Sequence, residues 1–223
     1  EKRNPSSELV GYYGAHDTSA KIRTQIAWKS DVQKAVWTEI VTEKIRKQAE
    51  FLFELKMERE YELLSSYIVQ IESGDASNRE GHAAKVYFNA LFGMEFTRSA
   101  DTPINAALNY GYSIILSAIN REISANGYLT QLGIFHDNMF NHFNLGCDFM
   151  EPFRIIVDRY VHRMNPAEFC KEEKHELWCM LNDTVRIDNT NQVLMNAIKI
   201  YVRSVFDAIN DEDISKIRFF SFI

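Results

Sequence analysis

A mainly α-helical, multi-helix domain is the fold class this sequence predicts. Only 9 Gly and 4 Pro occur in 223 residues, too few for the many tight turns of a β-sandwich. Apolar residues recur three and four apart over long stretches, the period of a helix with one buried face. Several of these stretches open on a helix-capping pattern. With 46% hydrophobic and 25% charged residues, the chain can bury a sizeable core in one or two domains.

Residues 1–24 read as irregular, with a turn at Asn4-Pro5-Ser6-Ser7 and at most a short extended piece at Gly11-Tyr12-Tyr13-Gly14. Ser30-Asp31-Val32-Gln33 is a capping box, and Val32, Ala35, Val36 and Ile40 follow one face behind it. Trp37, Val41 and Ile45 widen that face. Further helices are expected over Arg46–Leu55 and Glu58–Ile71, and the mixed charges from Glu43 to Glu62 read as a solvated face with pairs such as Glu43–Lys47. Asn78–Gly93 is an amphipathic helix through Ala83, Val86, Tyr87, Ala90 and Leu91, ended by Gly93. Thr102 caps the next, with Pro103 in its first position and Ile104, Leu108, Gly111, Ile115 and Ile119 as its stripe. Asn105 and Asn109 beside that stripe are expected to bond neighbouring elements.

Leu129–Leu132 reads as one helical turn and Gly133–Asn138 as a loop. A helix is expected to start at Asp148, with Asp148 as its cap, and another at Asn165-Pro166. Val185–Asp188 fits a short strand and Thr190–Ile209 an amphipathic helix. The apolar end Phe219–Ile223 either packs back or docks on a partner.

The net charge of −6 gives no global reason to expect nucleic acid, while leaving room for a local basic patch. Cys147, Cys170 and Cys179 lack paired spacing, so a zinc or disulfide framework is not expected and a reducing cytoplasm is the default. No apolar run approaches the roughly 20 residues that cross a bilayer, no signal peptide is visible, and the chain does not open with Met.

Glu80, His136 and Glu151 stand out as candidate ligands. Two carboxylates and an imidazole suit Mg²⁺ or Mn²⁺ in phosphate chemistry, where the ion polarises the phosphoryl oxygen. Each also has a plainer reading. Ser77-Asn78-Arg79-Glu80 fits a capping box, Glu151 fits one begun by Asp148, and His136 beside aromatic residues fits a core histidine. Read that way, the chain is a non-catalytic helical interaction module. His16-Asp17 and His136-Asp137 further invite a phosphohydrolase reading, although neither pair sits within a helix.

The segments NREGHAAKVYFNALFG, INAALNYGYSIILSAINREISANGYLTQLGIFHDN and FNLGCDFMEPFRIIVD resemble the CRISPR-associated endonuclease/integrase family of spacer acquisition, nearest its subtype II-A members. The resemblance runs from about Trp28 to the C-terminal helix. It implies a helical catalytic domain over 25–223, with residues 1–24 as the end of an N-terminal β-domain and the hinge. It also implies Glu80, His136 and Glu151 as metal-binding catalytic residues, with Asp148 in support. Tyr110 and Arg154 lie in family motifs, and with Arg79 and Lys85 they are candidate DNA contacts. Arg121 and Arg159 are further basic candidates near the motifs, each with a surface ion pair as the plain alternative.

The implied activity is that of a Mg²⁺- or Mn²⁺-dependent DNA endonuclease/integrase that inserts short foreign DNA at CRISPR repeat borders by 3′-OH transesterification. The implied partners are double-stranded DNA, a second copy in a homodimer, and a small ferredoxin-like adaptation protein completing a heterohexamer.

Overall fold

The computed structural model describes residues 18–223. The sequence expectation for residues 1–17, including the His16-Asp17 pair, lies outside the described residues. From Thr18 the chain is already helical, so 18–24 are not the irregular segment expected. Helix α1 spans Thr18–Ile26 and α2 Ser30–Glu54. The start at Ser30 matches the expectation, but Lys29 is the N-cap and no side chain caps it. Arg46–Leu55 is not a separate helix but the continuation of α2. No Gly or Pro interrupts that stretch, and both sides of the rod are covered.

Helix α3 covers Glu58–Ile68, α4 Arg79–Phe92 and α5 Pro103–Ala125. Thr102 caps α5 by accepting from the Asn105 N–H, and Pro103 costs nothing there because the first N–H groups lack intrahelical partners. Asn105 and Asn109 do the structural work expected of them: both accept from Arg98, and Asn105 donates to the carbonyls of Thr97 and Ala100.

Leu129–Leu132 forms turns rather than helix. Helix α6 runs Asn144–Met150, followed by a 3₁₀ turn Glu151–Phe153 and α7 over Arg154–Met164. Asn165 closes α7 in the left-handed conformation instead of opening a helix, and α8 begins later, at Lys171–Cys179, where Glu173 completes a capping box at Cys170.

Strands β1, Thr184–Ile187, and β2, Thr190–Val193, form an antiparallel hairpin. Asp188 and Asn189 both take positive φ at its turn, a conformation these two residue types tolerate. The expected helix from Thr190 therefore starts four residues late, as α9 over Leu194–Asn210. Mainly α holds, and among the described residues the small sheet lies beside α9.

Helices α2, α5 and α9 enclose the core with Ile40, Ile45, Leu108, Ile115, Tyr201 and Val205, all fully buried. The C-terminal tail packs back. Phe220 lies 4.8 Å from the Phe153 ring, Lys47 donates to the Phe220 carbonyl, and Ser221 pairs with Arg186. Helix α2 also rests against the Glu151–Phe153 turn and the start of α4, which sets up the site below. Among the described residues no helix is long and apolar enough to cross a membrane.

Candidate metal centre

The first turn of α4 is capped without Glu80. Asp75 accepts from the N–H groups of Arg79 and Glu80 at 2.8 and 3.0 Å, and Asn78 accepts from the Gly81 N–H at 3.3 Å. Negative charge at a helix N-terminus is doubly favoured there. The Ser77–Glu80 capping box does not form, and the Glu80 carboxylate turns inward.

It meets Lys44. This lysine shares the buried face of α2 with Trp37, Ile40, Val41 and Gln48, so its charge is held inside. Its Nζ lies 2.5 Å from Glu80 Oε1 and 2.5 Å from Glu151 Oε2. The two carboxylate oxygens are therefore no farther apart than those two contacts laid end to end. Glu151 is 2% exposed at the head of its 3₁₀ turn and also accepts from Arg154 Nε at 2.9 Å. It too forms no cap. Burial raises the Glu151 pKa, but Arg154 and Lys44 outweigh that and hold it below the usual carboxylate range. Burial pulls the Lys44 pKa down, and Glu151 and Glu80 more than restore it.

His136 follows from the loop after Gly133. Fully buried Asp148 accepts from the backbone N–H groups of Ile134, Phe135 and His136 at 2.7, 3.1 and 3.1 Å, and its Oδ1 lies 2.6 Å from His136 Nδ1. Asp148 sits inside α6 and is no N-cap. An ionised carboxylate can only accept, so Nδ1 carries the proton and Nε2 is left for another ligand. Phe135 stacks on Trp37 with centroids 4.3 Å apart, and the His136 ring stands edge-on to Trp37 at 5.7 Å. His136 pairs with Asp148 rather than with exposed Asp137. Its pKa is raised, first by the Asp148 bond, with Glu151 and Glu80 adding to the pull.

Oxygen donors with one imidazole are the set that Mg²⁺ and Mn²⁺ take. The carboxylate pair fits such an ion, because Glu80 and Glu151 already converge on one cation, the Lys44 ammonium. His136 is turned to Asp148, and among the described residues no three His, Cys, Asp or Glu side chains close into a cage. On the reading of His136 as a metal ligand, replacing Asp148 by Asn is expected to weaken Mn²⁺ binding by about 10- to 100-fold, the range typical for loss of a carboxylate behind a histidine ligand. Isothermal titration of the variant checks this, and unchanged affinity contradicts it.

The basic candidates divide. Arg154 is committed to Glu151, with its guanidinium 4.6 Å from the centre of the Tyr112 ring, so it supports the site rather than offering a free charge to DNA. Arg159 pairs with Glu54 and lies over Phe51 and Phe222, and Arg121 pairs with its neighbour Glu122. Arg79 lies over Tyr67, while Lys85 is exposed on α4. Tyr110 packs on Phe169; Tyr112, two residues on, is the tyrosine under Arg154. The charges around Glu43 are not all solvated: Glu43, Lys44 and Lys47 are buried, and the Glu43–Lys47 pair, at 3.0 Å, is an interior one.

Behind the site, the Tyr112 hydroxyl donates to buried Asp158. Burial pushes the Asp158 carboxyl up to about 6 from its ordinary 3.8, against the Tyr112 bond and Arg154. The folded state thus keeps a proton that the unfolded chain has already released, and stability falls as pH rises from about 4 to 6. Asp158→Asn removes that slope. Its stability relative to the original is expected to rise across this window by up to about 3 kcal/mol. Urea unfolding at pH 4.5 and pH 7 measures it, and an equal difference at both pH values contradicts it.

Known proteins share both sequence and fold. The family described as CRISPR associated protein Cas1 matches residues 7–192. The CRISPR-associated endonuclease Cas1 of Neisseria meningitidis serogroup C (strain 8013) is 31% identical over 219 residues, covering 96% of this chain and 72% of that protein. A CRISPR-associated endonuclease Cas1 of Thermodesulfovibrio yellowstonii is 30% identical over 165 residues, covering 61% of this chain and 52% of that protein. Two solved structures share the fold. One is a partial Cas6-RT-Cas1–Cas2 complex, with TM-score 0.77 and 17% identity over 94% of this chain and 75% of that one. The other is a casposase bound to its integration product, with TM-score 0.68 and 18% identity over 90% and 72%. The extent of the family match, with a relative 31% identical along nearly the whole chain, places this protein in the CRISPR-associated Cas1 family.

Proposed function

We propose that this chain carries the catalytic centre of a divalent-metal-dependent DNA endonuclease and strand-joining enzyme of CRISPR adaptation. The observation that carries the reading is the convergence of Glu80 and Glu151, from two different elements, on one cation, with His136 pinned by Asp148 on the adjoining loop. A Mg²⁺ or Mn²⁺ ion bound there would neutralise charge developing on a phosphodiester and lower the barrier to attack by a DNA 3′-OH. Glu80 and Glu151 would hold the ion through oxygen and His136 through Nε2. Asp148 fixes the imidazole so that Nε2 is presented, and Arg154 keeps Glu151 ionised and oriented. Phe135 stacks on buried Trp37, and the His136 ring stands edge-on to it, which anchors the loop to α2.

The substrate of this reading is a short foreign duplex whose 3′-OH attacks at a CRISPR repeat border. The relatives' names support the CRISPR context, and the fold neighbours include a partial Cas6-RT-Cas1–Cas2 complex and a casposase bound to its integration product. The partners are DNA, a second copy of the chain, and a small ferredoxin-like adaptation protein forming a heterohexamer, all within the cytoplasm. Exposed Lys85 and half-buried Arg79, both on α4 with Glu80, are the basic candidates for phosphate contact. The test is joining of a labelled duplex to a repeat-containing plasmid in Mn²⁺. The protein is expected to join the two, and Glu80→Ala to fail; undiminished joining by the variant refutes the assignment.

A further inference from the structure

Lys44 belongs to no part of the chemistry above, yet it sits where the metal's charge would be. Its residue is 8% exposed on the buried face of a long helix, so its ammonium is held inside the protein and needs partners there. Such a charge is costly inside a protein unless it is fully paired. Here it is paired twice, at 2.5 Å to each of the two candidate ligand carboxylates. The partners are unequal. Glu151 has Arg154 as a second cation on the same oxygen, whereas Lys44 is the only ion-pair partner of Glu80 among the described residues.

Two consequences follow from electrostatics. Without the ammonium, two carboxylates would face each other across a few ångströms in a half-dry site and repel. With it, they are held together and their charge is masked.

We propose that Lys44 is an internal stand-in cation, which keeps the Glu80–Glu151 pair assembled in the metal-free protein and must be displaced before a divalent ion can load. This rests on the metal-centre reading of Glu80 and Glu151. Lys44 is a positioning residue that acts on those ligands, and its role is read from binding and stability rather than from turnover. Metal loading is then a cation exchange. The wild-type site binds the ion less tightly than its ligand set alone would, because every loading event breaks two ion pairs, one of them fully buried.

The experiment is Mn²⁺ titration of the full chain, by calorimetry and by thermal melting, for the wild type and for Lys44→Met, Lys44→Gln, Lys44→Arg and Glu80→Gln. Lys44→Met is expected to bind Mn²⁺ about tenfold more tightly or better, since no ammonium competes. It should melt lower than the wild type without metal and gain more on saturation. Lys44→Gln, which keeps a donor and the chain length, serves if the Met variant does not fold, and should bind more tightly too. Lys44→Arg keeps the charge and should remain as weak as the wild type. Mn²⁺ affinity unchanged or weakened in the Met and Gln variants, while binding still depends on Glu80, overturns the proposal and leaves the metal centre standing. Binding that is absent, or indifferent to Glu80→Gln, overturns both.

Discussion

Glu80→Ala is expected to lower Mn²⁺-dependent strand joining by at least about a hundredfold, the rate equivalent of losing several kcal/mol of charge stabilisation at the reacting phosphate. The variant should nevertheless fold. The N-terminus of α4 is held by Asp75 and Asn78, and Lys44 keeps Glu151 as a partner. A cost of about 1 kcal/mol, or about 3 °C in melting temperature for a chain of this size, is the expected stability effect. This separation of activity from stability is the signature of a ligand. A glutamate serving as a helix cap would show the reverse, with a loss in melting temperature and joining intact. Calorimetry and the joining assay on one preparation distinguish the two.

Gly133→Ala is expected to have a large structural effect for one added methyl group, because the clash falls on backbone. A Cβ there would stand 2.3 Å from the His136 carbonyl oxygen and 2.7 Å from Asp148 Oδ2. The first is backbone and the second belongs to a fully buried side chain, so neither can swing aside. The loop must open, and Ile134, Phe135 and His136 lose their bonds to Asp148 together. At about 1 kcal/mol for each bond, and more for the stranded carboxylate, the loss is about 3–4 kcal/mol, or on the order of 10 °C. Because His136 is carried on that loop, joining should fall with it by more than about a hundredfold even at temperatures where the variant is folded. A variant that melts and joins like the wild type would show that the Asp148–loop contact is dispensable.

Much of the fold is legible in the sequence because it rests on local chemistry. Thr102-Pro103 marks the start of α5, Asn78 that of α4, and the three- and four-residue stripes mark the buried faces. The errors come where distant contacts or turn geometry decide. Asp188-Asn189 is a hairpin turn, and the apolar period downstream hides it because α9 continues directly from β2. Asn165-Pro166 looks like a helix start but is a left-handed end. Asp148 resembles a cap in sequence, yet its partners lie in a loop that only folding brings near.

The candidate ligands Glu80, His136 and Glu151 emerge from residue type and resemblance, whereas Lys44 does not. It stands in a charged run that reads as solvated. One signal is present in the sequence: Lys44 falls in phase with Trp37, Ile40 and Val41 on the buried face of α2, and a lysine in phase with an apolar stripe needs a buried partner. The same phase argument separates Tyr112 from Tyr110, since two residues turn a helix by about 200° and place the two rings on opposite sides.

The central claim is that Glu80, Glu151 and His136 hold one divalent ion. Anomalous diffraction from crystals of the protein grown with Mn²⁺ tests it most directly. The expected map has a single strong peak about 2.1 Å from a carboxylate oxygen of each glutamate and from His136 Nε2, with the Lys44 ammonium moved off the pair. A map with no peak there, and Lys44 still bridging Glu80 and Glu151 at saturating Mn²⁺, would contradict it.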